Sequence, residues 1–394
     1  MKMKNKWLKG MIHVVVITIL ATLITFGIDF LSLSILASHE KHEDFEMGDV
    51  FISAVNNKAT KELSRQIVIV STDGLNRAEI MNVINKISEQ NPCAIGLDLY
   101  FEDSQPDSAC IVNTVKKTPN LVCASRFRPD HDSQSFHPIV FSFYDTISDI
   151  YTHRGYVNFP IKNKKDVVRQ FYTYTLTNNQ DTLWSFASEL ARLAKSSSLD
   201  YVVQKGSQTE RLPFDDRNAA SISFDEVTGV SIINGIVDIK DFKNKIVLLG
   251  DLHNIDDMFK TSLFEEIPGV KMHAYATHTI LSGSFIFSSS PFYSWFWAIV
   301  LCLFLVTLNY LLQNPPECFS SRVKDFCRAA SNLIIRLIQV AFVILFVYWG
   351  FTHYLNNHKI LNFAPSLLMI GSATMAYDIW FGIIALYTLN KRRK

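Results

Sequence analysis

Four stretches of the chain are almost continuously apolar, and the sequence between the first two follows shorter periods. Residues 11–36 (MIHVVVITILATLITFGIDFLSLSIL) come after Lys2, Lys4, Lys6 and Lys9 and are long enough to cross roughly 30 Å of hydrocarbon as a helix. The stretch can be read as a secretory signal or as a retained anchor. Its length, and the lack of a small-x-small cleavage site after it, favour the anchor. Residues 291–312, 333–351 and 361–389 each carry at most one formal charge and read as three further spanning helices. Tyr293, Trp295 and Trp297 at the start of one, and Tyr348 and Trp349 near the end of the next, suit an interfacial aromatic belt.

Within residues 37–290 the periods are those of an α/β domain. Residues 65–73 (RQIVIVSTD), 94–100 (AIGLDLY), 121–126 and 245–250 (KIVLLG) predict strands. Helical spacing covers 75–89, 108–117, 184–194 and a segment starting near Pro268, after a loop over 251–266. Strands alternating with helices predict a mainly parallel sheet covered on both faces. The expected fold is thus an α/β domain inserted between one N-terminal and three C-terminal transmembrane helices.

Charge orients this arrangement. The tail 1–10 holds four lysines, the loop 313–332 holds Arg322, Lys324 and Arg328, and the tail 390–394 holds Lys391, Arg392, Arg393 and Lys394, whereas the loop 352–360 has only Lys359. Basic segments stay in the cytoplasm, so both tails and the basic loop are expected there. The domain and the loop 352–360 are then outside, in the periplasm if the membrane is a bacterial inner membrane. Composition agrees: 48% of the 394 residues are apolar and 19% charged, against about 25% charged in an average soluble domain. Lys+Arg (38) and Asp+Glu (37) nearly cancel, which argues against nucleic acid as a partner. Cys93, Cys110 and Cys123 are expected outside as buried small apolar groups, with a Cys110–Cys123 bridge as the alternative, and no cysteine spacing suggests a structural zinc.

Ligands of open α/β sheets gather beyond the carboxyl ends of the strands. Acids stand there: Asp73 after the first strand, Asp98 in the second, Glu102 and Asp103 just beyond it, and Asp251, Asp256 and Asp257 after the last. They read as a site for a polar or cationic ligand or a divalent metal, or else as caps for the turns and helices that begin there. His253, His273 and His278 invite a metal reading, but His273 and His278 are five residues apart, about 140° round a helix, and do not share a face. His273 reads better as a helix-packing histidine with a hydrogen-bonded ring. Neither GxSxG, a Walker loop nor GxGxxG occurs, and Ser71 with His153 makes no supported nucleophilic pair, so no enzyme, cofactor or metal is expected.

Taken in order, these segments resemble the type-two CHASE domain, an extracellular sensory domain of bacterial cyclases and histidine kinases. The resemblance rests on IVIVSTDGL, PCAIGLDLYFED (92–103), GYVNF (155–159) followed by DVVR (166–169), KIVLLG, residues 256–261 and PGVKMHAYATHTILSG (268–283), with Pro268, Gly269, Val270, His273, Ala274 and Gly283 at the matching positions. It covers residues 40 to 288, together with the plan of one helix before and a cluster after. Two departures stand out. Asp166 runs directly into Val167 where the family has a glycine turn, and residues 128–148 fit nothing in particular. The family also carries an output domain after its last helix, whereas five residues follow the last span here.

An ionisable group inside a span is a functional candidate by default. Asp378 lies about 15 Å from the cytoplasmic end of the last span at 1.5 Å per residue, and Arg336, Gln339 and Asn309 are on neighbouring spans. Asp378 is expected to face these groups inside the helical cluster, or a partner's helix. The resemblance and the topology together imply an inner-membrane receptor-like protein in the bilayer. Its domain would bind a small molecule or an envelope protein and act on a partner that carries the output. The alternatives are a non-signalling assembly subunit and a metal-dependent periplasmic hydrolase.

Overall fold

A computed structural model describes residues 2–38, 62–101, 108–129, 136–139, 153–161, 166–176, 182–206, 208–212, 222–237, 239–261, 266–288, 290–357, 359–361 and 363–393. It divides into two compact units, Asp44–Ile286 and the remainder, Met1–Glu43 with Phe287–Lys394. The chain opens with helix α1 (Lys2–Ser38). The domain then runs β1 (Glu62–Ser71), α2 (Arg77–Ser88), β2 (Ala94–Leu97), α3 (Ser108–Lys117), β3 (Leu121–Pro129), β4 (Phe136–Ile139), β5 (His153–Tyr156), α4 (Phe186–Ala194), β6 (Ile222–Thr228), β7 (Ile246–Gly250) and α5 (Gly269–Ser282), with shorter pieces between them. Helices α6 (Pro291–Gln313), α7 (Ser321–Asn357) and α8 (Ala364–Arg393) follow.

The domain is a seven-stranded sheet between two helical layers. Strands lie in the order β6-β1-β7-β2-β3, all parallel; β3 also pairs with β5 in parallel and with β4 antiparallel. Alternation along each strand sorts its side chains by face. Val68, Val70, Ile95, Leu97, Val247 and Leu249 join α2 and α3 in one buried cluster, while Ile67, Ile69, Val122, Ile246 and Leu248 join α4 and α5 in the other. Each such side chain contributes roughly 1.5–3 kcal/mol by leaving water, which is why these strands are apolar on both faces.

Local signals set the element ends. Asn76 and Glu79 form a capping box for α2, with the Glu79 amide donating to Asn76 Oδ1 at 2.9 Å and the Asn76 amide to Glu79 Oε2 at 2.8 Å. Ser185 caps the start of α4, which begins two residues later than the sequence suggests because Thr182–Trp184 pairs as a strand with Tyr174–Leu176. Two glycines admit α4 to the sheet. A Cβ on Gly96 would lie 2.8 Å from Phe186 Cζ, and one on Gly155 would lie 2.3 Å from Phe186 Cα. The aromatic ring fills the space above Gly96, and Gly155 brings the backbones of β5 and α4 together.

Three strands were not expected: β6, which pairs along β1, β5, and β4, which lies in the stretch that resembles nothing. The alternative of a bridge between Cys110 and Cys123 is not realised.

The other unit packs α1, α6, α7 and α8, four helices long and apolar enough to cross a membrane. Ile17, Ala21, Ala298, Leu301, Leu305, Met369, Ala373 and Ala376 form its core, where small residues let the helices approach closely. Polar pairs add to it: Trp380 Nε1 donates to His13 Nδ1 at 3.0 Å, and Tyr377 Oη donates to Gln313 Oε1 at 2.8 Å.

Candidate functional site

Because the strands are parallel, β1, β7, β2, β3 and β5 all deliver their carboxyl ends to one edge of the sheet. The acids found there divide into two groups.

Asp73 and Asp251 belong to a staple between the ends of β1 and β7. Thr72 Oγ1 donates to Asp251 Oδ1 at 2.7 Å. Asp73 Oδ2 accepts from Ser71 Oγ at 2.5 Å and pairs with His253 Nδ1 at 2.8 Å, and the Leu252 and His253 amides donate to the same carboxyl at 3.3 and 3.4 Å. Burial pushes this carboxyl up, but the hydrogen bonds from Ser71, His253 and the two amides outweigh it and leave Asp73 below the usual carboxylate value. Here the capping alternative describes the residues.

Asp98, Asp256, Asp257 and His273 are brought together instead. With Tyr100, Arg126, Asn158 and Phe159 they line a cavity of about 370 Å³, within the range typical of small-molecule sites. Asp98 follows β2 and its amide donates to Leu249 O at 2.9 Å, which fixes the carboxyl beside β7. Asp98 and His273 are each 6% exposed, with Oδ2 and Nε2 3.9 Å apart, too far for a direct hydrogen bond. Burial first, then the negative charges of Asp257 and Asp251, push the Asp98 carboxyl well up, which favours its protonated form. Burial lowers His273 to about 3, so its ring is neutral. The ring lies flat on Phe159 at 4.9 Å and meets Phe186 edge-on at 5.3 Å. His273 therefore packs as expected, but its ring makes no hydrogen bond among the described residues.

The glycines of the sequence motifs serve this wall. A Cβ on Gly269 would lie 2.6 Å from Asp257 Oδ2, and one on Gly250 would lie 2.8 Å from Val270 Cβ. The segment at Asp166 has no glycine turn, yet Val168 is held by its amide donating to Lys260 O at 2.8 Å. Glu102 and Asp103 lie outside the described residues. Among the described residues no group of three His, Cys, Asp or Glu side chains could hold a metal ion.

Sequence reasoning passed over Tyr100, Arg126, Asn158 and Phe159 as site residues. Tyr100 lies past the end of β2, Asn158 and Phe159 past the end of β5, and Arg126 in β3 just beyond its parallel pairing with β5, so the strand-end rule reaches them once β5 is recognised as a strand.

In the membrane-type unit the polar residues do not converge. Gln339 Nε2 donates to Ile370 O at 2.6 Å and to Thr374 Oγ1 at 3.3 Å, tying α7 to α8. Asn309 is buried and accepts from Gln313 Nε2 at 3.4 Å. Arg336 and Asp378 are on exposed helix faces. The first of the two placements expected for Asp378, inside the cluster, is thus corrected: α8 turns its small residues Ser372, Ala373 and Ala376 inward and Asp378 outward.

No curated protein and no solved structure matches the chain. The sequence profile of the CHASE2 domain matches residues 14–311, three quarters of the chain, taking in α1, the whole α/β domain and nearly all of α6. The match includes the β1 and β2 ends, Gly155, the loop after β7 and the start of α5, the segments that build the cavity wall, and the chain belongs to the CHASE2 domain family.

Proposed function

We propose that this protein is a membrane-embedded sensor whose α/β domain lies outside the cytoplasm, in the periplasm of a bacterial cell. It binds a small polar molecule in the cavity at the carboxyl edge of the sheet, and its four spans pass the bound state to a separate protein by shifting relative to one another. The observation that carries the reading is the cavity itself. It is of ligand size, and segments of the family pattern meet there around two buried polar side chains that have no hydrogen-bonding partner among the described residues. Basic tails and the basic loop 313–332 support the orientation.

The test is thermal unfolding of the full chain in lipid nanodiscs against a panel of polar metabolites. A compound at 100 times its Kd stabilises the domain by about 2.7 kcal/mol. The reading fails if no compound shifts the transition, or if those that do act equally on a variant with the cavity filled, such as Asn158→Trp.

A further inference from the structure

The cavity also indicates what kind of molecule it takes. The described residues that line it carry three carboxyls, Asp98, Asp256 and Asp257, against one guanidinium, Arg126. Asp256 and Asp257 would repel an anion, and the metal alternative lacks a set of converging ligands among the described residues. The remaining lining is aromatic. Phe159 and Phe259 meet edge to face at 5.1 Å, and His273 stacks on Phe159. Carboxyls beside aromatic rings are the surroundings in which an alkylammonium group is held, by charge on one side and by the ring faces on the other.

Asp98 and His273 supply an observation independent of the acid count. Both are more than nine-tenths buried, both face the cavity, and neither side chain is hydrogen-bonded to a described residue. Buried polar groups in folded proteins are nearly always satisfied. Two left unsatisfied 3.9 Å apart are arranged to receive donors and acceptors from a third body. An ammonium group presents two or three N–H donors, which matches a carboxyl and an imidazole nitrogen side by side. Resting on the sensory reading above, we infer that the cavity binds a small organic ammonium compound, its cationic head seated between Asp98 and His273 and its carbon chain against Phe159 and Phe259.

The wall further implies that binding displaces a proton. Asp98 is faced by His273 from α5, by Asp251 and Asp257 from the loop after β7, by Tyr100 from its own strand end and by Arg126 from β3. A cation arriving among these groups favours the ionised carboxyl, so uptake of the ligand releases a proton from Asp98.

Full-length protein in nanodiscs is titrated with ethanolamine, putrescine, spermidine and lysine as probes, with succinate and magnesium as opposite-charge and metal controls, reading the unfolding temperature and the heat of binding. At least one ammonium compound should raise the unfolding temperature saturably. Its heat of binding should vary with the ionisation enthalpy of the buffer, and Asp98→Asn should abolish that dependence. Asp256→Lys, on an exposed loop position, should weaken binding by roughly tenfold or more, and it keeps the test valid if Asp98→Asn fails to fold. Absence of binding by all four amines, or equal binding by Asp256→Lys, overturns the inference. Stabilisation by succinate or magnesium alone also overturns it, while leaving the sensory cavity intact, so the two readings fail separately.

Discussion

Replacing Asp98 by Asn probes the cavity wall through stability alone, with no ligand needed. In the native domain burial and the Asp257 and Asp251 charges hold the Asp98 carboxyl well above its ordinary 3.8, so it keeps a proton that the unfolded chain has released. Burial takes His273 from 6.5 down to about 3, so the native ring lacks a proton that the unfolded chain still holds. A proton held only by the native state makes stability fall as pH rises, and one held only by the unfolded state makes it rise, each by about 1.4 kcal/mol per pH unit. Above the ordinary carboxylate value of 3.8 and below the ordinary imidazole value of 6.5 the two slopes oppose one another. Asp98→Asn removes the falling slope and leaves the rising one, so the variant gains on the wild type as pH rises above 3.8, by at most about 1.4 kcal/mol per unit. His273→Gln does the opposite and exposes the falling slope. The assay is urea unfolding of the full chain in nanodiscs at stepped pH, followed by the fluorescence of Trp184, the single tryptophan of residues 44–286. Taking the difference between variant and wild type cancels the other titrating groups. A variant whose stability runs parallel to the wild type over this window would show that Asp98 is ionised in the native state, and the neutral-acid account of the wall would fall.

Four further outcomes are expected. Gly155→Ala places a methyl 2.3 Å from a backbone atom that cannot rotate away, so the domain should lose at least about 1–3 kcal/mol and unfold at lower temperature in a thermal melt. Asp73→Ala unties the loop after β7 and should cost about 1–2 kcal/mol in urea unfolding at neutral pH. That loss should shrink as pH falls through the lowered native pKa of Asp73, since a depressed carboxylate stabilises the fold only while ionised. Asp378→Leu should leave membrane level and unfolding unchanged but reduce co-purification of a partner by roughly tenfold, and unchanged co-purification would remove the partner contact. In a background without other cysteines, Val203→Cys, 59% exposed, should react with an impermeant maleimide on intact spheroplasts, and the exposed native Cys318 only after lysis.

The sheet was legible wherever a strand is buried on both faces. IVIV, AIGL and KIVLLG are continuous apolar runs because each lies within the sheet under helices on both sides. The strands that escaped notice are those the sheet needs least. β6 is the outermost strand of its side, and its sequence ISFDEVT alternates apolar with charged residues. β5, HRGY, is four residues long and holds its place through Gly155 and the α4 backbone, a close approach that no hydrophobic count registers. Missing β5 also hid Asn158 and Phe159, so the error in the sheet became an error in the site.

The acids show where reading by residue type ends. Asp73 and Asp98 both stand at the carboxyl ends of parallel strands, one on each side of β7, yet one is a fully bonded staple and the other a buried acid without a bond to its carboxyl among the described residues. Their immediate neighbours account for the difference. Asp73 follows Ser71 and Thr72, whose hydroxyls supply local donors: one bonds Asp73 itself, and the other bonds Asp251 across the strand gap. Asp98 lies between Leu97 and Leu99, and neither can offer a side-chain donor. With a hydroxyl two residues before it, as Ser71 supplies for Asp73 and Gly96 cannot for Asp98, a strand-end acid is drawn into the turn, as capping chemistry requires. Without one its bonds must come from elsewhere in the fold or from outside the chain. Here His273 Nε2, at 3.9 Å, shares the deficit instead of relieving it. Folding a protonated carboxyl and a neutral imidazole against one another without a bond lowers stability. A wall that keeps both is better explained by the molecule it receives than by the fold it supports.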